Sequence, residues 1–443
     1  MNRLIITFIL FALLVHPARA QESWTLKSCI DYGLKNHGSA RVYRNNVAKA
    51  KAASIEALSS YLPQIAGTAT LDDNLKLQST VLPAGFGGST EPTITHLGTQ
   101  YSTVVGARLD QTIFDQSLLV GLKANKPNTL LAIQNEEQND QNLIYTIAKY
   151  YYQVFVYQKQ MTLLADNLKN YEQLSTITRL QFDKGVAKKV DLDRVQVNLN
   201  NARSQFDLAE KNHELAKNQL KDAMGFQLGD EFELADSSLL RLDLNRDPAT
   251  SFDVKRRIDY QIANTNLLLS DINRKTISAK YVPKLTGYAQ YNAQALGNEF
   301  KSSYNHFYDY SSVGLKLSIP IFDGFQKSAQ YKQKSIDYFN AQENLKVNQR
   351  SYELEFLNAS TQWFKNRNSV LNDEQNMKLA KAVLEDISFQ YKRGVVSLSD
   401  LLNDDNSYNQ AQTTYISSLY NYFLAVLDVE KSKGTIKEFY NNL

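Results

Sequence analysis

The sequence predicts a mixed α and β protein that is mostly helical and internally duplicated. Three observations support this class. Short motifs recur in the same order in both halves, long proline-free stretches carry apolar residues at helical spacing, and four short segments alternate with a period of two. Of the 443 residues, 43% are hydrophobic and 21% are charged, which excludes a disordered or collagen-like chain.

Charge and cysteine usage exclude further classes of protein. Lysine and arginine number 49 against 46 acidic residues, and this near balance gives no support for a nucleic-acid binder, which needs a concentrated basic face. Cys29 is the single cysteine, so the chain has no disulfide framework and no cysteine-rich zinc site. Neither a nucleic acid nor a thiolate-bound metal is therefore an expected partner.

Residues 1–20 predict a secretory signal peptide. Asn2-Arg3 precedes an apolar run over residues 4–15, and Ala18-Arg19-Ala20 places small residues at a cleavage site before Gln21. A membrane anchor is the weaker alternative, because so short a run cannot span about 30 Å of hydrocarbon. We therefore expect an exported chain that begins at Gln21.

The exported chain is predicted to consist of two repeats, residues 21–230 and 252–443, joined by a linker over residues 231–251. Each repeat contains a helix, a β-hairpin, a long helix, a turn and a final helix. The first motif pair is separated by more residues than the other two, so the first repeat holds an insertion, which we place at 82–98. The paired motifs are Tyr61-Leu62-Pro63 with Tyr281-Val282-Pro283, Ile113-Phe114-Asp115 with Ile321-Phe322-Asp323, and Phe182-Asp183-Lys184-Gly185-Val186 with Tyr391-Lys392-Arg393-Gly394-Val395.

Long helices are predicted on both sides of turns at residues 182–190 and 391–398. Before each turn, apolar residues alternate spacings of three and four or recur every seven residues, as in helices that mesh along their length. After the second turn the pattern resumes at Leu401, but Asp404 interrupts it where the first repeat has Val195.

Glycine and proline mark the predicted helix ends. Gly185 and Gly394 are expected to reverse the chain at the turns, and Gly225 to close a helix. Pro127 leaves two interpretations open: it kinks a helix that runs from about residue 116 to residue 181, or it marks the start of that helix.

Two β-hairpins are predicted, at about 64–114 and about 284–321. In residues 310–321, valine, leucine and isoleucine alternate with serine, glycine and lysine, and residues 101–110 alternate in the same way. Strands of about ten residues with one apolar face and aromatic flanks fit outer-membrane barrels. A small soluble sheet that caps a helical bundle is the alternative.

Four strands are too few to close a membrane barrel. Unpaired backbone groups in lipid cost several kcal/mol each, so the sheet edges must be sealed. Two copies give eight strands, which fill their own interior with side chains, whereas three copies leave a conduit. We therefore predict a homotrimer in which four strands per protomer contribute to a twelve-stranded transmembrane β-barrel. The long coiled-coil-like helices then form an α-barrel in the periplasm.

With its signal peptide, two hairpins and paired Gly-Val-x-x-x-x-Asp-Leu turns, the exported chain resembles the TolC-like outer-membrane efflux proteins over essentially its whole length. The resemblance implies an outer-membrane protein that extends into the periplasm. It also implies a homotrimer that contacts outer-membrane lipid, a periplasmic adaptor (membrane fusion) protein and an inner-membrane transporter. The implied function is the exit duct of a tripartite efflux pump or of a type I protein secretion system, and the sequence does not name the cargo.

The resemblance further implies residues at the helix tips. Gly185-Val186 and Gly394-Val395 match the turns that contact the adaptor in this family. Glycine permits the tight reversal and the valine offers a small apolar contact. The alternative is that these residues only form turns. Val396 stands where well-known members of the family carry arginine, so an arginine-dependent latch is in doubt.

A second implied site is the closed periplasmic aperture. Asp191 and Asp400 lie six residues after the two turn glycines, as acids do in the family, while Asn403 replaces the next acid and Asp404 and Asp405 follow it. A threefold ring of such carboxylates would bind cations and disfavour anions. The alternative is that these acids only stabilise a helix N-terminus.

No motif predicts an enzyme. The chain has no His-Glu-x-x-His, no phosphate-binding glycine loop and no nucleophile elbow. Together with the resemblance, this implies a passive conduit for small molecules such as drugs or toxic compounds, with no catalytic residue, no cofactor and no metal site. A soluble periplasmic coiled-coil scaffold is the alternative from another class.

Overall fold

The computed structural model describes residues 24–88, 90–235 and 252–443. The predicted signal peptide, residues 1–20, lies outside the described residues, as does most of the predicted linker, residues 236–251.

The chain divides into two compact units, and each unit is assembled from segments of both repeats. The first unit comprises residues up to 45, 134–262 and 346–443, and the second comprises residues 46–133 and 263–345.

Long helices dominate the described chain. The longest are α4 with 59 residues, α7 with 67, and α5 and α8 with 36 each. None of the described helices contains an apolar stretch long enough to cross a membrane. The helices are α1 (Leu26–Asn36), α2 (Gly38–Ser59), α3 (Gln116–Leu122), α4 (Asn125–Asp183), α5 (Lys189–Met224), α6 (Ile258–Ala279), α7 (Gln326–Lys392), α8 (Leu398–Lys433) and α9 (Ile436–Asn441).

The core of the first unit joins α1, α4, α5, α7 and α8. Tyr152 of α4 stacks on Phe423 of α8 with ring centroids 4.3 Å apart, and Trp363 of α7 belongs to the same cluster. Cys29 of α1 is fully buried in this core, and burial raises the pKa of its thiol well above the usual range. Because a protonated, inaccessible thiol is a poor nucleophile, Cys29 serves as a small apolar side chain.

The second unit contains a four-stranded antiparallel sheet in the order β1-β4-β5-β6. β1 pairs with β4 and β5 pairs with β6, while the β4–β5 ladder connects the two repeats. The segment between β1 and β4 adds a separate two-stranded sheet, β2–β3, which the sequence patterns did not predict. The strands are β1 (Gln64–Asp73), β2 (Ser79–Leu82), β3 (Thr93–His96), β4 (Tyr101–Phe114), β5 (Lys284–Gly297) and β6 (Tyr308–Ser318).

The two faces of the four-stranded sheet differ in polarity. In the register of the ladders, one face carries Ile65, Ala69, Leu71, Val105, Ala107, Leu109, Leu285, Ala289, Val313, Leu315 and Leu317. The opposite face carries Thr68, Thr70, Ser102, Arg108, Asp110, Gln290, Asn292, Ser312 and Lys316. Val313 is 86% exposed and Leu315 70% exposed, so the described part of the chain leaves the apolar face uncovered at these positions. This alternation is the one required of a sheet with lipid on one side and water on the other.

The second hairpin ends earlier in the structure than the sequence pattern predicts. β6 stops at Ser318, whereas the alternating pattern continues to residue 321. Pro320 explains the difference, because proline has no N–H to donate to a strand ladder. In the first repeat, where no proline intervenes, β4 continues to Phe114.

Pro127 marks the start of the long helix. α4 begins at Asn125, which places Pro127 in the first turn, where its missing N–H breaks no intrahelical hydrogen bond. The short helix α3 precedes it and is capped by Asp115, whose carboxylate accepts hydrogen bonds from the backbone of Ser117 and Leu118 at 3.0 and 3.1 Å. In the second repeat the matching Ser335 lies inside α7, which is not interrupted.

Candidate functional site

The two predicted turns close α4 and α7 in the same way. Gly185 and Gly394 both have φ of +76°, the left-handed conformation that glycine adopts most easily. After each glycine, the valine N–H donates to a carbonyl five residues back: Val186 to Gln181 at 2.8 Å and Val395 to Gln390 at 3.0 Å. This pair of Schellman motifs explains why the Gly-Val dipeptide recurs in both repeats.

The valine side chains of both turns are exposed. Val186 is 77% exposed and Val395 is 70% exposed. A Cβ built on either glycine meets no atom of the described residues within 4 Å, so it is the left-handed backbone conformation that favours glycine at these positions. Each turn therefore presents one apolar side chain to solvent.

A small apolar cluster packs below the turns in the first unit. It joins α4, α5 and α8 through Tyr171, Val195, Leu199, Ala202, Leu398, Leu401 and Leu402. Arg194 of α5 adds a polar link, because its guanidinium donates to the Ser399 hydroxyl of α8 at 3.0 Å. The two tips are therefore connected within one chain, although Val396 supplies no arginine at the position that the family resemblance implies.

Asp400 is the third helical residue of α8 and forms its N-terminal cap together with Ser397. Its carboxylate accepts hydrogen bonds from the Ser397 hydroxyl at 2.7 Å and the Ser397 backbone N–H at 3.1 Å, while the Asp400 N–H donates to the Ser397 hydroxyl. These hydrogen bonds lower the pKa of Asp400. The arrangement is a capping box, so the geometry gives this exposed acid a structural use at the helix start.

Asp405 is buried and forms hydrogen bonds within the chain. Its carboxylate accepts hydrogen bonds from the Tyr171 hydroxyl and from the Asn409 amide, the latter at 2.9 Å. Asn167 extends the network to Asn409 at 2.7 Å. Burial raises the pKa of Asp405, against the lowering effect of the two hydrogen bonds. A carboxylate held in this way is not free to join a ring of charges in a pore.

Asp404 differs from its neighbour. Its side chain is only half-buried, and among the described residues it has no hydrogen-bond or ion-pair partner. The apolar pattern predicted along α8 would place Asp404 at a buried position, but in the structure the neighbouring Asp405 is the buried residue. The reason is that α8 packs against several helices and buries a wider stripe than a single seam.

The remaining candidates lie close to the tips. Asp191 is half-buried in the first turn of α5, and Asn403 is exposed with its carbonyl accepting from Ser407 at 2.9 Å. The sequence patterns do not predict the Tyr171–Asp405–Asn409 network. Within the described ranges, no group of three or more histidine, cysteine or acidic side chains is placed to hold a metal ion.

Comparison with known proteins identifies the chain's relatives. A family model described as outer membrane efflux protein matches residues 33–226 and 259–435, one segment in each repeat. The chain belongs to the outer membrane efflux protein family. This confirms the resemblance found in the sequence, and the two matched segments agree with the internal duplication.

Individual relatives are distant but cover most of the chain. The outer membrane protein TolC of Vibrio cholerae is 24% identical over 344 residues, covering 75% of this chain and 77% of the relative. The alkaline protease secretion protein AprF of Pseudomonas aeruginosa is 22% identical over 342 residues, covering 74% and 69%. The CmeC outer membrane channel of Campylobacter jejuni superposes with a TM-score of 0.76 at 18% identity, covering 94% of this chain and 89% of that one.

Membership of the family settles class and location. The protein is an outer-membrane efflux channel that extends into the periplasm, and it is not an enzyme. This confirms the predicted fold class, in which a mostly helical, duplicated chain contributes four strands to a shared barrel. The alternative of a soluble periplasmic scaffold is therefore wrong. Channels of this family act as trimers with adaptor proteins and inner-membrane transporters.

Proposed function

We propose that three copies of this chain form the outer-membrane exit duct of a tripartite efflux pump that exports small molecules. The observation that carries the proposal is the four-stranded sheet with an uncovered apolar face. β1 and β6 lie at its two margins, each paired on one side. In lipid, these margins need partners from neighbouring copies, because unpaired backbone groups there cost several kcal/mol each.

The number of copies follows from the number of strands that a barrel needs in order to enclose a lumen. Three sheets give twelve strands, enough to enclose a lumen, and the polar face with Arg108, Gln290 and Asn292 lines it. The apolar face with Val313 and Leu315 then contacts the outer-membrane lipid.

The helix tips are the proposed docking points for the periplasmic adaptor. Gly185-Val186 and Gly394-Val395 present two similar exposed apolar contacts per chain, hence six around a trimer. Their similarity suits an adaptor that meets both repeats with the same surface. The inner-membrane transporter then supplies the energy, and the channel itself performs no covalent chemistry.

The gate is proposed to lie in the helical segments that follow the two turns, with Asp404 of α8 as its principal charge. Three copies would bring three half-buried, unpartnered carboxylates around one axis, which favours cations at the closed aperture. Asp191 and Asn403 contribute nearby polar groups. Asp400 and Asp405 act mainly through the helix cap and the buried network described above.

Secretion of a polypeptide is the second candidate function. One relative is named as an alkaline protease secretion protein, and a type I secretion system uses the same kind of duct. The family description favours efflux, so we place small-molecule export first.

Accumulation of a fluorescent dye distinguishes the two functions. Deletion of the gene should raise intracellular ethidium, and the restored wild-type chain should lower it again, whereas secreted protein levels should not change. Outer-membrane fractions confirm that the restored chain is present. Unchanged ethidium with loss of a secreted polypeptide would overturn the small-molecule proposal in favour of secretion.

A further inference from the structure

The polar face of the four-stranded sheet holds an arginine in a fixed position. The Arg108 guanidinium donates two hydrogen bonds to the Asp110 carboxylate, at 2.8 and 3.0 Å, and a third to the Gln290 side-chain oxygen at 3.1 Å. The same guanidinium lies 4.8 Å from the centre of the Tyr288 ring. Although Arg108 is exposed, the bidentate carboxylate, the amide and the aromatic ring hold it more firmly than a surface arginine without partners.

Strand register explains why these four side chains meet. Arg108 and Asp110 are two residues apart on β4 and therefore share a face. On β5, Gln290 lies directly opposite Arg108 and Tyr288 directly opposite Asp110. The cluster is therefore part of the ladder and repeats in every copy of the chain.

Two glycines make room for side chains that lie flat on this face. Gly314 of β6 lies opposite Tyr288, and a Cβ on Gly314 would stand 2.6 Å from the tyrosine hydroxyl oxygen. Gly106 of β4 lies opposite Asn292, and a Cβ there would stand 1.9 Å from the Asn292 side-chain oxygen. Because Tyr288 and Asn292 lie across their neighbouring strands, they line the wall rather than project from it.

We propose that Arg108 and Asp110 form a charge-compensated pair in the barrel lumen, in which Asp110 positions and neutralises Arg108 and so removes the anion preference that the arginine alone would give. This rests on the proposed function, in which the polar face lines the lumen. Three copies place three Arg108–Asp110 pairs at one height, with no net charge. Each pair therefore favours neither anionic nor cationic solutes, which suits a duct whose cargo is selected elsewhere.

Replacement of Asp110 leaves the three Arg108 guanidinium charges of a trimer uncompensated. Relative to the wild-type channel, D110N should shift the preference towards anions and R108Q towards cations, and the double variant R108Q/D110N should return to the wild-type preference. We expect each single variant to change the chloride-to-potassium permeability ratio by about twofold or more at 10 mM salt, where the Debye length is about 30 Å. Reversal potentials across planar bilayers under a salt gradient measure this ratio.

Asp309 provides the matched control. It lies on β6 of the same sheet but shares the apolar face, in line with Ala293 and Tyr291, so its side chain should not reach the lumen. The variant D309N removes the same charge and should leave the permeability ratio unchanged. The measurements are repeated with D404N added to the wild-type chain and to every variant. This substitution removes the proposed gate charge, whose cation preference could otherwise hide a change in selectivity at the barrel.

A chemical readout tests the same inference without ion flow. Phenylglyoxal modifies accessible arginines, so Arg108 should react slowly in the wild-type channel and several times faster in D110N, as measured by peptide mass spectrometry. Equal reactivity in both, or single variants whose permeability ratios match the wild type, would overturn the inference. If either of these results came from a trimer that still exports, only the inference about Arg108 would fail and the proposed function would stand. A chain that stays monomeric would overturn the inference and the proposed function together.

Discussion

Placing aspartate on both helix tips, with Val186→Asp and Val395→Asp in one chain, should abolish efflux while the protein still reaches the outer membrane. Both valines are exposed, and neither side chain packs in a core, so the fold should tolerate the change. An adaptor that covers these positions would have to bury an unpaired carboxylate, which costs at least about 2 kcal/mol per contact. That corresponds to about thirtyfold weaker binding per contact.

Ethidium accumulation and co-purification with the adaptor measure this effect. The matched control is the pair Val186→Thr and Val395→Thr, which keeps the shape of valine and adds no charge; it should export at close to the wild-type rate. If the aspartate variant exported ethidium normally, the tips would not be the adaptor contact.

Neutralising Asp404 should produce the largest change in ion selectivity. In a trimer, Asp404→Asn removes three carboxylates that have no partner among the described residues. A carboxylate near a pore attracts a cation by about 1 kcal/mol at short range, so its loss should lower the cation preference about fivefold. Reversal potentials in planar bilayers measure the change.

Asp193 gives the control for that experiment. It is an exposed acid near the first tip and is already paired with Lys189 at 3.1 Å, so Asp193→Asn should not alter selectivity. A cation preference that is the same in Asp404→Asn as in the wild-type channel would remove Asp404 from the gate.

Local chemistry in the sequence predicted much of the fold. The Gly-Val turns, the long helices and the period-two strands all depend on residues close together in the chain, and apart from the end of β6 each appears where the pattern placed it. Pro320 could have been recognised in the same way as the end of β6. The β2–β3 sheet was missed because its two four-residue strands are too short to show an alternating pattern.

The roles of the acids could not be predicted from local patterns. Asp404 and Asp405 are adjacent, so about 100° of helix rotation decides which one is buried. That rotation is set by contacts with α4, which is more than two hundred residues away in sequence, and Tyr171 is the residue that selects Asp405. The Arg108 cluster was hidden for a similar reason, because the alternation placed Arg108 and Asp110 on one face but could not give the register with Gln290.

The mass of the detergent-solubilised protein tests the central claim most directly, namely that one chain supplies only part of a closed membrane wall. Native mass spectrometry of the purified channel should show a complex of three chains. A protein that is extracted from the outer membrane as a stable monomer, with β1 and β6 sealed by no other copy, would contradict the account.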